Sequence, residues 1–285
     1  MKKVSFLGLG VMGFPMAGHL ADAGYPVTVF NRTTSKAADW CARFAGKQAS
    51  TIEEAASDAD LVIMCVGNDK DVEEVADKAI NTMHAGSILV DHTTASADIA
   101  RLLARKCAAR EIGFLDAPIS GGQAGAQNAQ LTIMVGGQES VYDSALPVLD
   151  VYARHVQLIG ENGSGQLAKM MNQICIAGIV QGLAEALHFG EQAGLDCGQV
   201  IDVISKGAAQ SWQMDNRAAT MIEGKYEFGF AVDWMRKDLN IALQEARKNG
   251  STLALTALVD QYYADVQKSG GNRWDTSSLL TRLQK

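Results

Sequence analysis

The segment that decides the fold is Val4-Ser5-Phe6-Leu7-Gly8-Leu9-Gly10-Val11-Met12-Gly13, an apolar run that ends in three glycines spaced G-x-G-x-x-G. The run predicts a strand, and the helical spacing of apolar residues over Met12–Ala23 predicts that a helix follows. Glycines at such a turn are typical of a site for dinucleotide phosphates. Gly8 then allows the tight turn, Gly10 lets a pyrophosphate approach the backbone, and Gly13 allows close helix–strand packing. A glycine-rich turn without a ligand is the alternative.

Strand-like and helix-like segments alternate ahead of Gly163. The run Leu61–Val66 is apolar at every position, which is typical of a strand covered on both faces. This alternation predicts an α/β fold, a doubly wound parallel sheet of the Rossmann type over residues 1–162. The other predicted strands are Val4–Leu9, Val27–Phe30, Ser87–Asp91, Gly113–Asp116, Leu131–Val135 and His155–Ile159.

No further strand is evident after Gly163. Ser164–Ala193 is predicted to form one long helix, and its middle, Ile174–Leu187, is apolar on nearly every face. Such a helix must be covered, either as the centre of an all-helical domain over residues 163–285 or in part by a second subunit. We therefore expect a homodimer or homotetramer. The other predicted helices are Gly198–Lys206, Met214–Ile222, Ala231–Lys248, Leu253–Ser269 and Thr276–Leu283.

The composition of the 285-residue chain, 47% apolar and 20% charged, is typical of a soluble globular protein. Its net charge of −7 and the lack of a Lys/Arg run argue against nucleic acid as a partner. The five cysteines are widely spaced and form no C-x-x-C pair, which argues against a disulfide framework or a zinc site and favours the cytoplasm. No uninterrupted apolar run is long enough to span a membrane, so we expect no membrane as a partner. Because the cysteines lack the paired spacing of a zinc site, we also expect no bound metal.

The segment after the second predicted strand is Asn31-Arg32-Thr33-Thr34-Ser35-Lys36, which contains no acid. NAD sites usually hold Asp or Glu there, because the carboxylate accepts hydrogen bonds from the ribose 2′-hydroxyl. Arg32 is suited instead to a 2′-phosphate, with help from Asn31, Thr33 and Lys36. We expect NADP(H) to be the preferred cofactor, and NAD(H) remains open. A solvated surface arginine is the alternative for Arg32.

A second motif follows the predicted strand Gly113–Asp116 and is Asp116-Ala117-Pro118-Ile119-Ser120-Gly121-Gly122. Ligands bind at the carboxyl ends of strands in an open parallel sheet. The Ser120 hydroxyl and the backbone N–H groups of Gly121 and Gly122 are suited to a carboxylate. An ordinary turn is the alternative.

A third motif opens the long helix and is Gly163-Ser164-Gly165-Gln166-Leu167-Ala168-Lys169-Met170-Met171-Asn172-Gln173. Lys169 and Asn172 are three residues apart and share a helix face. The next turns are apolar, so the Lys169 ammonium is expected at the edge of a buried region, where a lysine is suited to donate a proton. A surface charge is the alternative.

A fourth motif is Phe228–Leu239, an apolar helical segment interrupted by Arg236, Lys237 and Asp238. Taken alone, these three charged residues predict a solvated helix face. In this order, however, the glycine motif, D-A-P-x-S-G-G, G-x-G-x-x-x-K-x-x-N and K-D-L resemble the β-hydroxyacid dehydrogenases over nearly the whole chain. That family includes enzymes for 3-hydroxyisobutyrate, tartronate semialdehyde, and glyoxylate or succinic semialdehyde.

The resemblance implies roles on the substrate side. Lys169 matches the catalytic lysine, and Ser120, Gly121 and Gly122 match the loop that holds the substrate carboxylate. Asn172 matches an asparagine that helps to orient the substrate.

Two further positions are less settled. Some relatives have a second asparagine where this chain has Gln173, so the role of the second amide stays open. Trp212 lies after Gly207–Ser211 and is a candidate to line the substrate pocket, with plain core packing as the alternative.

The resemblance also implies a set of cofactor-binding residues. Thr94 matches a threonine near nicotinamide and substrate, and Lys237 matches a lysine that closes over the cofactor from the helical domain. Family members often have Ser at Thr93 and Leu-Pro at Val66-Gly67, departures that affect the edge of the cofactor pocket. The full set is Gly8, Leu9, Gly10, Val11, Met12, Gly13, Asn31, Arg32, Thr33, Val66, Thr94 and Lys237.

The activity implied is reversible hydride transfer between NADP(H) and a short 3-hydroxy acid or semialdehyde acid, with Lys169 as general acid and base. Two alternatives stay open: imine reduction on the same scaffold, in enzymes that generally lack this lysine, and a non-catalytic NADP(H)-binding protein. The sequence does not identify the acid, because one methylene is worth only about 1–3 kcal/mol of discrimination.

Overall fold

The computed structural model describes residues 2–284, so Met1 and Lys285, the outer ends of the two predicted domains, lie outside the described residues. Packing divides the chain into two compact units, and the division falls between Lys169 and Met170. It falls inside the long helix that was expected after Gly163, so that helix contributes residues to both units. The predicted domain boundary between residues 162 and 163 stays a prediction.

A nine-stranded sheet forms the centre of the first unit. The strands Val27–Phe30 and Gly113–Asp116 have the predicted bounds, and the others agree with the predicted strands to within a few residues at each end. Two short strands were not predicted, Lys47–Gln48 and Ile119–Ser120. The strands are β1 Val4–Leu7, β2 Val27–Phe30, β3 Lys47–Gln48, β4 Leu61–Met64, β5 Ile88–Asp91, β6 Gly113–Asp116, β7 Ile119–Ser120, β8 Leu131–Gly137 and β9 Ala153–Gly160.

The strand order is β3-β2-β1-β4-β5-β6-β8-β7, with β9 paired to β8. Strands β1 to β6 all run parallel to one another. The chain leaves β1 for β2 on one side of it and later returns as β4 on the other side. The glycine turn after β1 therefore lies where the strand order reverses, which is the usual ligand site of an open α/β sheet.

The sheet departs from the predicted all-parallel arrangement at β8, which runs antiparallel to both β6 and β7. A parallel connection needs a crossover of a dozen or more residues, usually through a full helix. Between β6 and β8 the chain forms only β7 and the six-residue helix Gly122–Gln127, so it turns back instead of crossing over.

Helices cover both faces of the sheet, as predicted. Along β4, Leu61 and Ile63 belong to one buried cluster, and Val62 and Met64 belong to another on the opposite face. The helices of this unit are α1 Gly13–Asp22, α2 Thr34–Cys41, α3 Ile52–Ala56, α4 Asp69–Thr82, α5 Ala97–Ala108, α6 Gly122–Gln127 and α7 Glu139–Leu149, followed by a 3₁₀ turn at Asp150–Tyr152.

Among its described residues the second unit has helices as its only regular elements, joined by loops, apart from one isolated bridge between Ala231 and Asp275. Its core includes Val180, Met235 and Tyr263. The predicted helix Thr276–Leu283 is wrong in type, because Thr276–Arg282 forms a 3₁₀ helix. The α-helices are α8 Ser164–Gln192, α9 Cys197–Ile204, α10 Trp212–Ile222, α11 Val232–Asn249 and α12 Ala254–Lys268.

Within the chain, helix α8 is buried along one face only, so the chain by itself does not cover its middle all round. Met171, Cys175, Ile179 and Phe189 are exposed within the chain and share one face, which we call the α8 stripe. The most apolar window of α8 has a mean hydropathy of 1.2, so the helix could cross a membrane by length and composition alone. Of that window 44% is buried, and the core helix of a soluble protein has the same composition.

Candidate active site

The glycine turn between β1 and α1 has the geometry that its sequence predicts. Gly8 has φ +101°, and a Cβ on it would overlap the Cys65 carbonyl oxygen. A Cβ on Gly13 would overlap the Gly8 carbonyl oxygen, so the start of α1 packs directly on the turn. Only glycine fits at these two positions.

The same turn leaves room for an anion. A Cβ on Gly10 would meet no atom, and both Gly10 and Val11 are exposed. The first turn of α1 carries no acidic residue. Bare backbone at a helix N-terminus suits a phosphate, so the residues present fit a dinucleotide. Leu9, in contrast, is buried in the core and contributes only its backbone.

Asn31 connects the glycine turn to the end of β2. Its Oδ1 accepts a hydrogen bond from the Leu9 backbone N–H at 2.8 Å, and its Nδ2 donates to the Thr33 carbonyl at 3.0 Å. Both ends of the carboxamide are therefore bonded within the loop. The sequence predicted only that Asn31 assists Arg32, and it gave no sign that Asn31 holds the glycine turn in place.

Arg32 presents its guanidinium to solvent. The side chain is 91% exposed, and Nη1 lies 4.0 Å from Asp71 Oδ1 on α4. Thr33 precedes α2 and is exposed as well. An exposed guanidinium beside the end of β2 suits a phosphate, whereas Asp71 at 4.0 Å and Glu74, which also interacts electrostatically with Arg32, oppose it.

Thr94 lies in the loop after β5 between two buried neighbours. The Thr93 backbone N–H donates to Asp91 Oδ1 at 2.9 Å, and Thr93 Oγ1 accepts from the Val66 N–H at 3.0 Å. Thr93 thereby joins the loops after β4 and β5. Thr94 itself is half-buried, which leaves part of its side chain accessible.

Gln166 holds this loop from the first turns of α8, a contact that motif analysis missed. Its Nε2 donates to the Thr93 carbonyl at 2.7 Å, and its Oε1 accepts from the Ala95 N–H at 3.0 Å. The residue was quoted within its motif, but nothing in the sequence marked it as a link to a loop 71 to 73 positions earlier.

Asp116, the first residue of the second motif, caps the N-terminus of α8. It is fully buried, and its carboxylate accepts from the Gly163 N–H at 2.7 Å and the Gln166 N–H at 3.1 Å. Burial raises the pKa of Asp116 to about 6, against the opposing effect of these hydrogen bonds. A Cβ on Gly165 would overlap the Asp116 carbonyl oxygen, so the helix end lies directly on the strand.

Ser120, Gly121 and Gly122 lie at the end of β7 and the start of α6. Gly121 has φ +130° and Gly122 has φ +59°, and both are exposed. Successive backbone N–H groups in such a turn form a concave site for an anion. The assignment of a substrate carboxylate to this loop stays a prediction.

Lys169 is 7% exposed, although it carries a charge. It lies on α8 three residues after Gln166, on the same helix face. A lysine on the surface, the alternative considered above, is thus excluded for this chain.

Asn172, Gln173, Lys237 and Asp238 form one chain of polar contacts in the second unit. Asn172 Nδ2 donates to Gln173 Oε1 at 2.8 Å, and Gln173 Nε2 donates to Asp238 Oδ2 at 2.6 Å. Lys237 Nζ lies 3.1 Å from Asp238 Oδ1. Gln173, whose role was open, therefore links the predicted substrate residue Asn172 to the Lys237–Asp238 pair.

Trp212 begins α10. It is 48% exposed, which excludes plain core packing, and the Arg217 guanidinium lies 4.9 Å from its ring. Its predicted place in a substrate pocket stays a prediction.

A buried histidine beneath the site was not singled out from the sequence. His92 Nε2 lies 2.8 Å from the Tyr152 hydroxyl, and Nδ1 is hydrogen-bonded to the Ala117 carbonyl. Because a carbonyl only accepts, Nδ1 carries the proton and Nε2 accepts from Tyr152. Burial lowers the pKa of His92 to about 4, so it is neutral near pH 7.

Two family models match the chain. Residues 3–160 match the NAD binding domain of 6-phosphogluconate dehydrogenase, and residues 163–283 match the NAD-binding domain of NADP-dependent 3-hydroxyisobutyrate dehydrogenase. The chain belongs to the β-hydroxyacid dehydrogenase family. It is accordingly an NAD(P)-binding oxidoreductase of the 3-hydroxyisobutyrate dehydrogenase type.

Individual β-hydroxyacid dehydrogenase relatives agree over the full length. An uncharacterized oxidoreductase of Shewanella frigidimarina is 60% identical, covering 100% of this chain and 99% of its own. The 2-hydroxy-3-oxopropionate reductase of Escherichia coli is 33% identical, covering 99% of this chain and 97% of its own. The structure of Mycobacterium tuberculosis 3-hydroxyisobutyrate dehydrogenase with L-serine superposes with a TM-score of 0.92 at 29% identity and covers 100% of both chains.

Among residues 2–284 no group of three or more His, Cys, Asp or Glu side chains is arranged to hold a metal ion.

Proposed function

We propose that this dehydrogenase catalyses reversible hydride transfer between NADP(H) and a short 3-hydroxy acid or semialdehyde acid, such as 3-hydroxyisobutyrate, glyoxylate or succinic semialdehyde. The observation that carries the proposal is the burial of Lys169 at the position of the family's catalytic lysine. A buried ammonium close to an apolar region is suited to exchange a proton with a substrate oxygen.

Each proposed residue has a separate task. Ser120 and the N–H groups of Gly121 and Gly122 bind the substrate carboxylate, while Thr94 and Asn172 orient the carbonyl. The bound nicotinamide supplies or accepts the hydride. Lys169 donates a proton to the developing alkoxide in reduction and takes it back in oxidation. General acid–base help of this kind is typically worth about 10²–10⁴-fold, and orientation adds to it.

The preference for NADP(H) over NAD(H) is supported by the absence of an acid in Asn31–Lys36 and by the exposed Arg32 guanidinium. The match of the second half to a domain of NADP-dependent enzymes points the same way. Asp71 lies 4.0 Å from Arg32, so a bound 2′-phosphate has to compete with it for the guanidinium.

Two other functions fit the chain less well. Imine reductases on this scaffold generally lack the lysine that this chain has at the start of α8, Lys169. A protein that only binds NADP(H) has no use for the Ser120–Gly122 turn, whose two positive φ angles are strained for any residue but glycine.

The proposal includes assembly with a second copy of the chain, as a homodimer or homotetramer in the cytoplasm. The α8 stripe is apolar and exposed, and no charged residue occurs from Met170 to Ala184. A surface of this kind is usually covered, and an identical helix offers a matching apolar stripe in a symmetric pair. The five free thiols suit a reducing compartment. Light scattering tests the assembly: a dimer or tetramer that Ile179→Glu dissociates is expected, and a monomeric wild type contradicts it.

The activity is tested by NADPH oxidation against a panel of glyoxylate, succinic semialdehyde, methylmalonate semialdehyde and tartronate semialdehyde, with simple imines and NADH measured in parallel. Turnover on at least one acid, faster with NADPH than with NADH, is expected. Turnover on imines alone, or tight NADPH binding without turnover, contradicts the proposal.

A further inference from the structure

Gln166 has no place in the reaction proposed above, yet it is one of the most buried polar side chains of the first unit, at 1% exposure. Its two hydrogen bonds go to the Thr93 carbonyl and the Ala95 N–H. One carboxamide is thus bonded to the residue before Thr94 and the residue after it. We call these two contacts the Gln166 clamp.

The first helical turn of α8, which carries Gln166, is itself held in place by Asp116. The Gln166 backbone N–H donates to Asp116 Oδ2, and the Gly163 N–H donates to Asp116 Oδ1, so the end of β6 determines where α8 begins. Lys169 follows one turn later on the same face. Through Gln166, the loop around Thr94 is therefore tied to the helix of Lys169.

Filling space does not by itself explain this side chain. Burying a carboxamide is unfavourable unless both of its ends are bonded, and a leucine would fill a similar volume without that requirement. What the carboxamide adds is a fixed backbone on both sides of a residue that is itself only half-buried. The side chain of Thr94 is thereby left accessible while its backbone is held.

We infer that Gln166 is a positioning residue of the reaction, which fixes Thr94 relative to Lys169 through the Gln166 clamp. The inference rests on the proposed roles of Thr94 and Lys169. A reacting group that is displaced by about 1 Å can lose about 100-fold in rate. Loss of the clamp should therefore lower kcat by roughly 10- to 100-fold. The dissociation constant of NADPH should change less than kcat, because Thr94 is only one of the predicted cofactor residues, and the glycine turn and Arg32 lie elsewhere in the unit and keep their contacts.

The decisive variant is Gln166→Glu, because its function depends on its protonation. An ionised glutamate still accepts from the Ala95 N–H but offers no donor to the Thr93 carbonyl. A protonated glutamic acid has the shape of the carboxamide, so its hydroxyl donates to Thr93 while its carbonyl oxygen accepts from Ala95. Burial favours the protonated form. The kcat of Gln166→Glu relative to wild type should therefore rise as the pH falls from about 8.5 to about 6.

The comparison with wild type at each pH removes the titration of neighbouring groups, which both proteins share. These groups are Asp91 and Asp116 at the ends of β5 and β6, Asp69 bonded to the Ser96 N–H, Arg101 beside Gly163, and Lys169 on α8.

Two controls separate positioning from general damage. Gln166→Leu removes both bonds and cannot regain them, so its kcat relative to wild type should be low at every pH. Gln157→Glu makes the same chemical change at an exposed position of β9 and should match wild type throughout. Thermal denaturation of all three variants shows whether each is folded at the assay temperature.

Recovery of kcat at low pH in Gln166→Glu alone, with NADPH affinity within about threefold of wild type, is the expected result. Two results would overturn the positioning role and leave the proposed function intact, provided that the wild type is active. One is a kcat of Gln166→Glu that is lower than wild type by the same factor at every pH. The other is a Gln166→Leu variant whose kcat equals that of wild type. A wild type that turns over no acid of the panel overturns the proposed function, and the positioning role with it.

Discussion

Asp116 Oδ1 accepts a hydrogen bond of 2.7 Å from the backbone N–H of Gly163, which lies 47 residues later in the chain. This bond joins the first residue of the D-A-P-x-S-G-G motif to the start of the helix that carries Lys169. An aspartate is favoured here because the first N–H groups of a helix lack partners within it. Its full burial, however, opposes the charge that makes it a good cap.

Asp116→Asn should change how stability depends on pH. The folded pKa of about 6 is above the ordinary value of 3.8, so between these values the folded state binds more protons than the unfolded state. Wild-type stability from this group is therefore greatest below about pH 4 and falls as the pH rises to about 6, by about 3 kcal/mol. Urea denaturation at several pH values should show Asp116→Asn gaining on wild type over this range. A constant difference between the two proteins would contradict the buried charge.

His92 should give stability the opposite dependence on pH. Its folded pKa of about 4 is below the ordinary 6.5, so the unfolded state binds more protons between these values, and stability from this group falls as the pH drops from about 6.5 to about 4. In an NMR titration of the five histidines, the His92 resonance should stay that of a neutral ring down to about pH 5. Midpoints near 6.5 for all five would show that His92 is not buried between Ala117 and Tyr152.

Arg32→Ala should alter the choice of cofactor. A charge-assisted contact to the 2′-phosphate supports a preference of tens of fold to about a hundredfold. The KM for NADPH should rise by that factor while the KM for NADH stays nearly constant. Arg154→Ala, an exposed arginine on β9, is the matched control. Equal changes for both cofactors would assign Arg32 to the solvated surface.

Gln173→Leu should destabilise the second unit and weaken substrate orientation. It removes the 2.6 Å bond to the buried Asp238 carboxylate, and a hydrogen bond to a charged group is worth about 1.5–3 kcal/mol. Urea denaturation and kcat/KM measure the two effects. Gln199→Leu removes a similar bond of 2.9 Å to the exposed Asp196, and should lose less than about 0.5 kcal/mol. If the two variants lose the same stability, the Gln173 contact has no special importance.

The fold was predictable where burial leaves a strong local signal. The run Leu61–Val66 is apolar at every position, and Gly113–Asp116 has apolar residues between a glycine and an aspartate. Each forms a strand close to its predicted bounds. The two-residue strand Lys47–Gln48 is exposed and polar, so it has no such signal. The 3₁₀ form of Thr276–Arg282 was also unpredictable, because apolar spacing hardly separates a 3₁₀ turn from an α turn.

Parts of the candidate site were predictable where the residues that contact one another lie within a single sequence motif. Gly8 and Gly13 are needed because of contacts within their own turn. Asn31 and Gln166 act through partners 22 and 71 to 73 positions away, and only the assembled sheet brings those partners together. Motif analysis therefore located the residues proposed to contact ligands and missed those that hold them in place.

In the proposed reaction Lys169 transfers the proton during reduction of a semialdehyde acid by NADPH. The most direct test measures kcat of Lys169→Ala with the best acid of the panel, together with the dissociation constant of NADPH, and uses the exposed Lys268→Ala as control. A loss of about 10²–10⁴-fold in kcat is expected, with NADPH binding intact. A Lys169→Ala enzyme that retains near-wild-type kcat would contradict this proposed role.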